Sequence, residues 1–292
     1  MQIFDCTTYF EEDLMMDVRF NILNEYVDTF IVCESKYSHS GKEKKINFDL
    51  NNFPKFKNKI KHIILENEPS NLIDESKAHP EDQRTNSVKR IMQQRDFIQS
   101  GLSNASKDDI IMYSDNDEIP NLENLNFEKI KNKIVIFNQK IFYYKFNLLY
   151  PSLDWYGTKC CRFKNLKSIS WLRDVKPKKY KFFRLDVMFS NYKFIDLKIV
   201  QNGGWHFSSV KNLQGLLKKF ENDEMHAEYK SRKVDSKEIE RLLKEKKINY
   251  NHFMDSKDIN RQFSEFSLEK VDLKQLPKFL QENSEKYSEW FD

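Results

Sequence analysis

The chain has 292 residues and a net charge of +4, with 49 Lys and Arg set against 45 Asp and Glu. That length allows one large domain or two small ones with a substantial core. The two signs are interspersed, which argues against a nucleic-acid-binding protein and leaves an anionic ligand open.

Aromatic residues make up 14% of the chain, with 24 Phe and 13 Tyr, so the core is expected to be built on rings. Cys6 and Cys33 sit in apolar runs, Cys160 and Cys161 are adjacent, and no CxxC pair occurs. A disulfide framework is therefore not expected, and a reducing compartment is the default. The opening MQIFDCTTYFEED lacks the basic and apolar regions of a signal peptide. No stretch reaches the roughly 18–20 apolar residues of a membrane span. A cytoplasmic protein without a membrane span, either free or peripheral at a membrane to which something else brings it, is the expectation.

In chain order, the pattern predicts a strand at Met1–Cys6 and a helix at Glu11–Tyr26, with Leu14, Met15, Val18, Ile22 and Leu23 at helical spacing. Strands follow at Thr29–Cys33 and Ile60–Leu65. A long helix spans Asp82–Leu102, with Val88, Ile91, Met92, Phe97, Ile98 and Leu102 as its apolar positions and Gly101 near its end. Ile110–Tyr113 is the next strand. Such alternation predicts an α/β protein with a mostly parallel, Rossmann-type sheet flanked by helices. Ligands of these sheets bind outside the carboxyl ends of the strands. Glu34 and the segment Asp115–Glu118 both fall on that rim.

The second half predicts strands within Lys133–Tyr150, Trp155–Phe163 and Ile195–Val200. A tight turn is expected around Gly203-Gly204, two of only six glycines. Helices are predicted at Val210–Phe220 and Ser236–Lys246. The chain turns strongly charged from about residue 222, which suggests a domain over 1–230 and a charged helical extension over 231–292 packed on it.

Asp115-Asn116-Asp117-Glu118 ends a buried run with three carboxylates in four residues. Like charges that close call for solvation or for a cation. A DxD loop suits Mg²⁺ or Mn²⁺, which take oxygen ligands together with substrate phosphates. The alternative is an acidic first helical turn ahead of Pro120.

His206, beside two glycines, is either a metal ligand or a core histidine. Glu34 is either a ribose or base acceptor or a solvated strand end. Arg90 and Arg95 are placed to meet phosphate or to pair with Asp115. Trp155, Trp171 and Trp205 could stack on a sugar or fill the core. Asp154, in Asp154-Trp155-Tyr156-Gly157, is a candidate general base or part of a turn. Asp174 is a second candidate base, or a partner of Arg173 or a nearby lysine.

Together, VCES at 32–35, Ser40-Gly41-Lys42, SDNDEIP at 114–120 and GGWHFS at 203–208 resemble glycosyltransferase family 17 in order and spacing. That family includes the β-1,4-mannosyl-glycoprotein β-1,4-N-acetylglucosaminyltransferases. The opening DCTTYFEEDLMMDVRFNILNEYVDTFIVCES looks like its first strand, helix and strand. The resemblance covers roughly residues 1–230.

It implies a GT-A fold, a UDP-sugar donor, a glycan or glycolipid acceptor and an inverting mechanism. By the same resemblance, Asp115 and Asp117 would bind Mn²⁺ (or Mg²⁺) and the donor diphosphate. Glu34 would lie near the nucleoside, His206 near the metal or diphosphate, and Arg95 on the helix before the DxD strand. Asp154 matches loosely. Membrane-anchored members act in the Golgi lumen; this chain shows no anchor, so a cytoplasmic enzyme of surface-glycan or lipid-linked glycan synthesis is expected instead.

Two alternatives stand beside this reading. One is a nucleotidyltransferase making a nucleotide-sugar, although no Gly-rich phosphate loop occurs and the first glycine is Gly41. The other is a catalytically inactive glycan-binding module on the same fold.

Overall fold

The computed structural model describes residues 1–74, 79–181, 183–222, 224, 226, 235–249 and 265–292. Its first half follows the predicted alternation. Strands β1 (Ile3–Tyr9), β2 (Thr29–Ser35), β3 (Ile60–Leu65) and β4 (Ile110–Tyr113) pair in parallel. Helix α1 (Asp13–Leu23) links β1 to β2, and α2 (Pro80–Phe97) precedes β4. Next come β5 (Glu118–Pro120), β6 (Ile134–Phe137), β7 (Gln139–Tyr143), β8 (Leu148–Trp155) and β9 (Lys159–Arg162). After α3 (Ile169–Asp174) and the one-turn α4 (Leu185–Met188) lie β10 (Leu197–Val200) and β11 (Gly204–Ser208).

The main sheet has the order β10-β6-β9-β4-β1-β2-β3. Only β9 runs against its neighbours, β4 and β6. Both faces are covered, as the alternation of side chains shows. Phe30 and Val32 of β2 and Ile110 and Met112 of β4 pack with Met16, Phe20 and Leu23 of α1. The intervening Ile31, Cys33, Ile111 and Tyr113 pack on the other face with Ile98, Leu102, Ile169 and Leu172. Residues two apart on a strand share a face, so each strand feeds two cores. The expected mostly parallel sheet flanked by helices is present, and all four cysteines are free and buried.

A second sheet, β14-β8-β7-β11-β5, stands against the first and includes β14 (Glu269–Lys270) from the end of the chain. The predicted single strand region over Lys133–Tyr150 is three strands. The predicted turn around Gly203-Gly204 leads directly into β11. Helices α5 (Leu213–Asn222) and α6 (Ser236–Glu245) lie close to their predicted bounds.

The end of the chain also holds β12 (Lys247–Ile248), β13 (Phe266–Ser267) and α7 (Lys278–Glu282), so it is less purely helical than its composition suggests. Leu276, Leu280 and Tyr287 join the core cluster of α1. The suggested boundary at 230/231 lies outside the described residues.

Helix α2 departs from its predicted apolar face. It buries Asn86, Ser87, Arg90 and Gln94 and leaves Met92 42% exposed. The reason is what it covers. Asn86 satisfies both backbone groups of Ile73 at 2.8 Å, Gln94 donates to the Cys33 carbonyl, and Arg90 donates to Glu68 and to the His39 carbonyl. A helix seated on loop backbone needs polar side chains toward it. The apolar contact is made one turn later, where Ile98 and Leu102 enter the sheet core.

Candidate active site

The acidic loop joins β4 to β5 at the carboxyl end of β4, the rim where the sequence places it. It is held from beneath by a buried ion pair. Arg19 of α1, fully buried, donates to both oxygens of Asp5 at 2.6 and 2.7 Å. Its remaining donors reach Ser114 Oγ at 2.8 Å and the Glu118 carbonyl at 2.9 Å, with longer contacts to the carbonyls of Asp115 and Asn116. Removing either charge would strand the other in the core, so this pair fixes the loop's backbone.

Two arginines hold the loop's first carboxylate. Asp115 accepts from Arg95 at 3.2 Å and the Tyr113 hydroxyl at 2.9 Å on one oxygen, and from Arg173 at 2.9 Å on the other. Burial opposes ionisation of Asp115, but Arg173 and Arg95 outweigh it and hold the carboxyl well below the usual carboxylate range. Arg173 also grips Glu118 through both oxygens at 2.9 Å and the Gly157 carbonyl at 2.6 Å. Glu118 is 1% exposed and accepts in addition from Trp155 Nε1 at 2.5 Å. Gly157 leaves no room here, since a Cβ would stand 2.3 Å from the Glu118 carboxyl carbon.

Asp117 behaves differently. Strand β5 pairs antiparallel with β11 in a register that sets His206 opposite Glu118. The Phe207 amide donates to the Asp117 carbonyl at 2.8 Å, which brings His206 Nε2 to 3.5 Å from Asp117 Oδ1. Burial works to raise the Asp117 pKa, while His206, and more distantly Lys219, outweigh it and lower it. The His206 ring lies against Trp155 with centroids 4.9 Å apart, and its Nδ1 is buried without a hydrogen-bond partner.

These groups open onto a cavity of about 520 Å³ between the two sheets. Arg95, Asp115, Asp117, Glu118, Trp155 and His206 line it, together with Glu11 and Glu12 and the lysines Lys44, Lys211, Lys218 and Lys219. Lys211 meets Glu12 at 3.3 Å, Lys218 meets Glu11, and Lys219 donates to Ser209 Oγ at 3.0 Å. Glu12 also accepts from the amides of Phe10 and Glu11 and from Asn116. Burial opposes its charge, but Lys211 and those amides prevail and lower its pKa.

The predicted site residues thus divide. Asp115, Asp117, Arg95 and His206 converge on the cavity. Glu34 does not line it. Its carboxylate is buried, bonded to Lys44, to the amides of Asn47 at 2.8 Å and Phe48 at 3.1 Å, and close to His62 at 3.3 Å. Burial alone would raise its pKa; His62, Lys44 and the amides lower it. In this arrangement Glu34 shapes the segment 44–48 beside the cavity.

Asp154 and Asp174 are exposed and do not line the cavity either. Asp154 sits on β8 opposite Lys140. Asp174 ends α3, where its neighbour Arg173 turns inward. Trp171 and Trp205 bond to backbone carbonyls of Asn191 and Gln275.

Arg19 and the three lysines around α5 carried no functional reading in the sequence, Arg173 stood there only as a partner for Asp174, and Glu118 only as part of the acidic cluster. Arg19 left a signal, being a charge within the apolar stripe of α1. Among the described residues no three or more His, Cys, Asp and Glu side chains converge as a ready metal-ligand set. The pair Asp117 and His206 supplies one oxygen and one nitrogen donor, a partial set that substrate phosphate and water could complete.

Fold and site together define an α/β protein with a charged ligand cavity at the carboxyl rim of a mostly parallel sheet. The glycosyltransferase family 17 model matches residues 1–290, and the chain belongs to that family. The match supports a transferase acting in glycosyl transfer, and it runs well past residue 230, where the motif resemblance stops. No curated protein matches. Two solved structures of HddC from Yersinia pseudotuberculosis, one complexed with GMP-PN, are similar at 14% and 13% identity. Each has a TM-score of 0.33 and covers 70% of this chain and 92% of its own.

Proposed function

We propose that the protein transfers N-acetylglucosamine, or a related sugar, from a UDP-sugar to a hydroxyl of a glycan or glycolipid, with inversion, on a GT-A-type sheet. The observation that carries this reading is the division of labour in the acidic loop. Asp115 is held by arginines, while Asp117 faces His206 at the cavity wall. A donor diphosphate needs both an anchor and charge compensation as it departs. Arg95 and Lys219 line the cavity and supply fixed positive charge for that purpose. Asp115 serves as the post that aims Arg95 and Arg173.

Asp117 and His206 fit as the residues that would hold Mn²⁺ or Mg²⁺, since Asp117 Oδ1 and His206 Nε2 lie 3.5 Å apart at the cavity wall. When bound, such an ion supplies Lewis acidity toward the diphosphate oxygens. Trp155, anchored by Glu118, offers a flat face beside His206 for a sugar or base.

The general base must touch the acceptor hydroxyl. We place it among the carboxylates that line the cavity, with Glu12 first. Glu12 is held in position by two amides and Asn116, and the other oxygen meets only Lys211, at 3.3 Å. Asp154 and Asp174 remain the alternatives.

The test is product analysis with UDP-N-acetylglucosamine, Mn²⁺ and a panel of oligosaccharide acceptors. UDP release coupled to glycan growth is expected, reduced at least about 10²-fold in Asp117→Asn and Glu12→Gln. Asp154→Asn and Asp174→Asn are expected to keep activity near wild type. Pyrophosphate release from UTP and N-acetylglucosamine 1-phosphate, in a parallel assay, would instead establish nucleotidyl transfer, and binding without turnover would establish a glycan-binding module.

A further inference from the structure

Five of the large exposed apolar side chains, Phe183, Leu185, Phe189, Tyr192 and Ile195, crowd into one short segment after α3. Phe189 is 88% exposed, Leu185 69% and Phe183 63%. Isolated exposed apolar residues are ordinary, but a cluster of this kind marks a contact surface.

The segment is built rather than loose. Val175, Val187 and Leu197 are buried and fasten it to the domain. The Lys176 amide donates to the Tyr192 carbonyl at 2.8 Å, and Lys159 Nζ donates to the Val175 carbonyl at 2.8 Å. The anchored backbone holds the rings and Leu185 outward.

The same stretch is strongly basic. Lys176, Lys178, Lys179 and Lys181 are exposed and have no carboxylate partner among the described residues. Arg184 and Lys193 share Asp186, at 2.8 Å each. Lys181 Nζ lies 5.7 Å from the Phe183 ring centroid, so charge and apolar surface are interleaved.

We propose that residues 176–181 and 183–195 form a docking surface for the face of an anionic lipid bilayer. Lysines beside outward Phe and Leu side chains suit it in two ways. The apolar groups enter the boundary between headgroups and acyl chains, and the ammonium groups meet lipid phosphates. Charge complementarity selects this occupant over an apolar protein groove, which would leave the unpaired lysines without partners. The segment starts three residues after Arg173, the guanidinium that grips Asp115 and Glu118. The surface itself does not depend on the proposed reaction.

Co-sedimentation of the full chain with phosphatidylcholine vesicles, with and without phosphatidylglycerol, tests this. Binding is expected only with the anionic lipid, and it should weaken as salt rises. Reversing Lys178, Lys179 and Lys181 to Glu should weaken it more than about tenfold. The pair Leu185→Ser and Phe189→Ser should weaken it several-fold at unchanged charge. These positions are exposed, so an unchanged thermal midpoint would confirm that each variant is folded. Failure to bind anionic vesicles, or binding indifferent to both sets of changes, would overturn the proposal. Equal binding to heparin with no effect of the Leu185 and Phe189 changes would overturn it too, in favour of a soluble polyanion.

Discussion

Asp115 and Asp117 are two residues apart and chemically alike, yet the fold gives them different work. Asp115 neutralises two guanidinium groups, and Asp117 is left to face His206 and the cavity. Linkage makes the difference measurable. A carboxyl with a depressed folded pKa adds stability that is fully present above its unfolded value, about 4. That stability is lost as pH falls through the depressed folded value. Asp115→Asn should therefore cost about 1–3 kcal/mol at neutral pH, since it leaves Arg95 and Arg173 short of a charged partner. The deficit should shrink toward about pH 3 and below. Urea denaturation of both proteins across that range is the check; a deficit independent of pH would mean that Asp115 is not ionised in the fold.

At the scale of elements, the sheet was legible because alternating strands and helices leave a periodic record. The cavity wall was not. Gly203 and Gly204 announced a turn in the sequence, but Gly204 is also the first residue of β11. Its φ of +133° and its closeness to β5 explain why glycine is needed. A Cβ there would stand 2.2 Å from the Ile119 carbonyl oxygen. Gly204→Ala should therefore push β11 from β5 and cost about 2–4 kcal/mol. It should also part His206 from Asp117, so activity should fall even at temperatures where the variant is folded. A thermal melt paired with an activity assay separates the two effects. Helix α2 carries the opposite lesson. Its apolar residues suggested a buried apolar face, but polar loops lay beneath it, and no local pattern announces what a helix will cover.

Across the whole molecule, the site is assembled from segments far apart in sequence. Arg19, Asp115 and Asp117, Arg173, His206 and the lysines of α5 meet only after both sheets have formed. Asp115, Asp117, Arg95 and His206 could be read in advance because their local motifs are short and distinctive. The pairing of Arg173 with Glu118 could not, since it joins residues 55 positions apart. The end of the chain was expected as a charged helical extension packed on the domain; in the structure Leu276, Leu280 and Tyr287 pack into the core beside α1, and Trp290 reaches the cavity.

The proposed reaction requires this cavity to bind a nucleoside diphosphate through Asp117, His206 and the surrounding cations. Calorimetry of UDP binding to the full chain, with and without Mn²⁺, in wild type and Asp117→Asn, tests it most directly. Binding should strengthen at least about tenfold with Mn²⁺, and that gain should disappear in the variant. Absence of UDP binding to the folded wild type under either condition would contradict it.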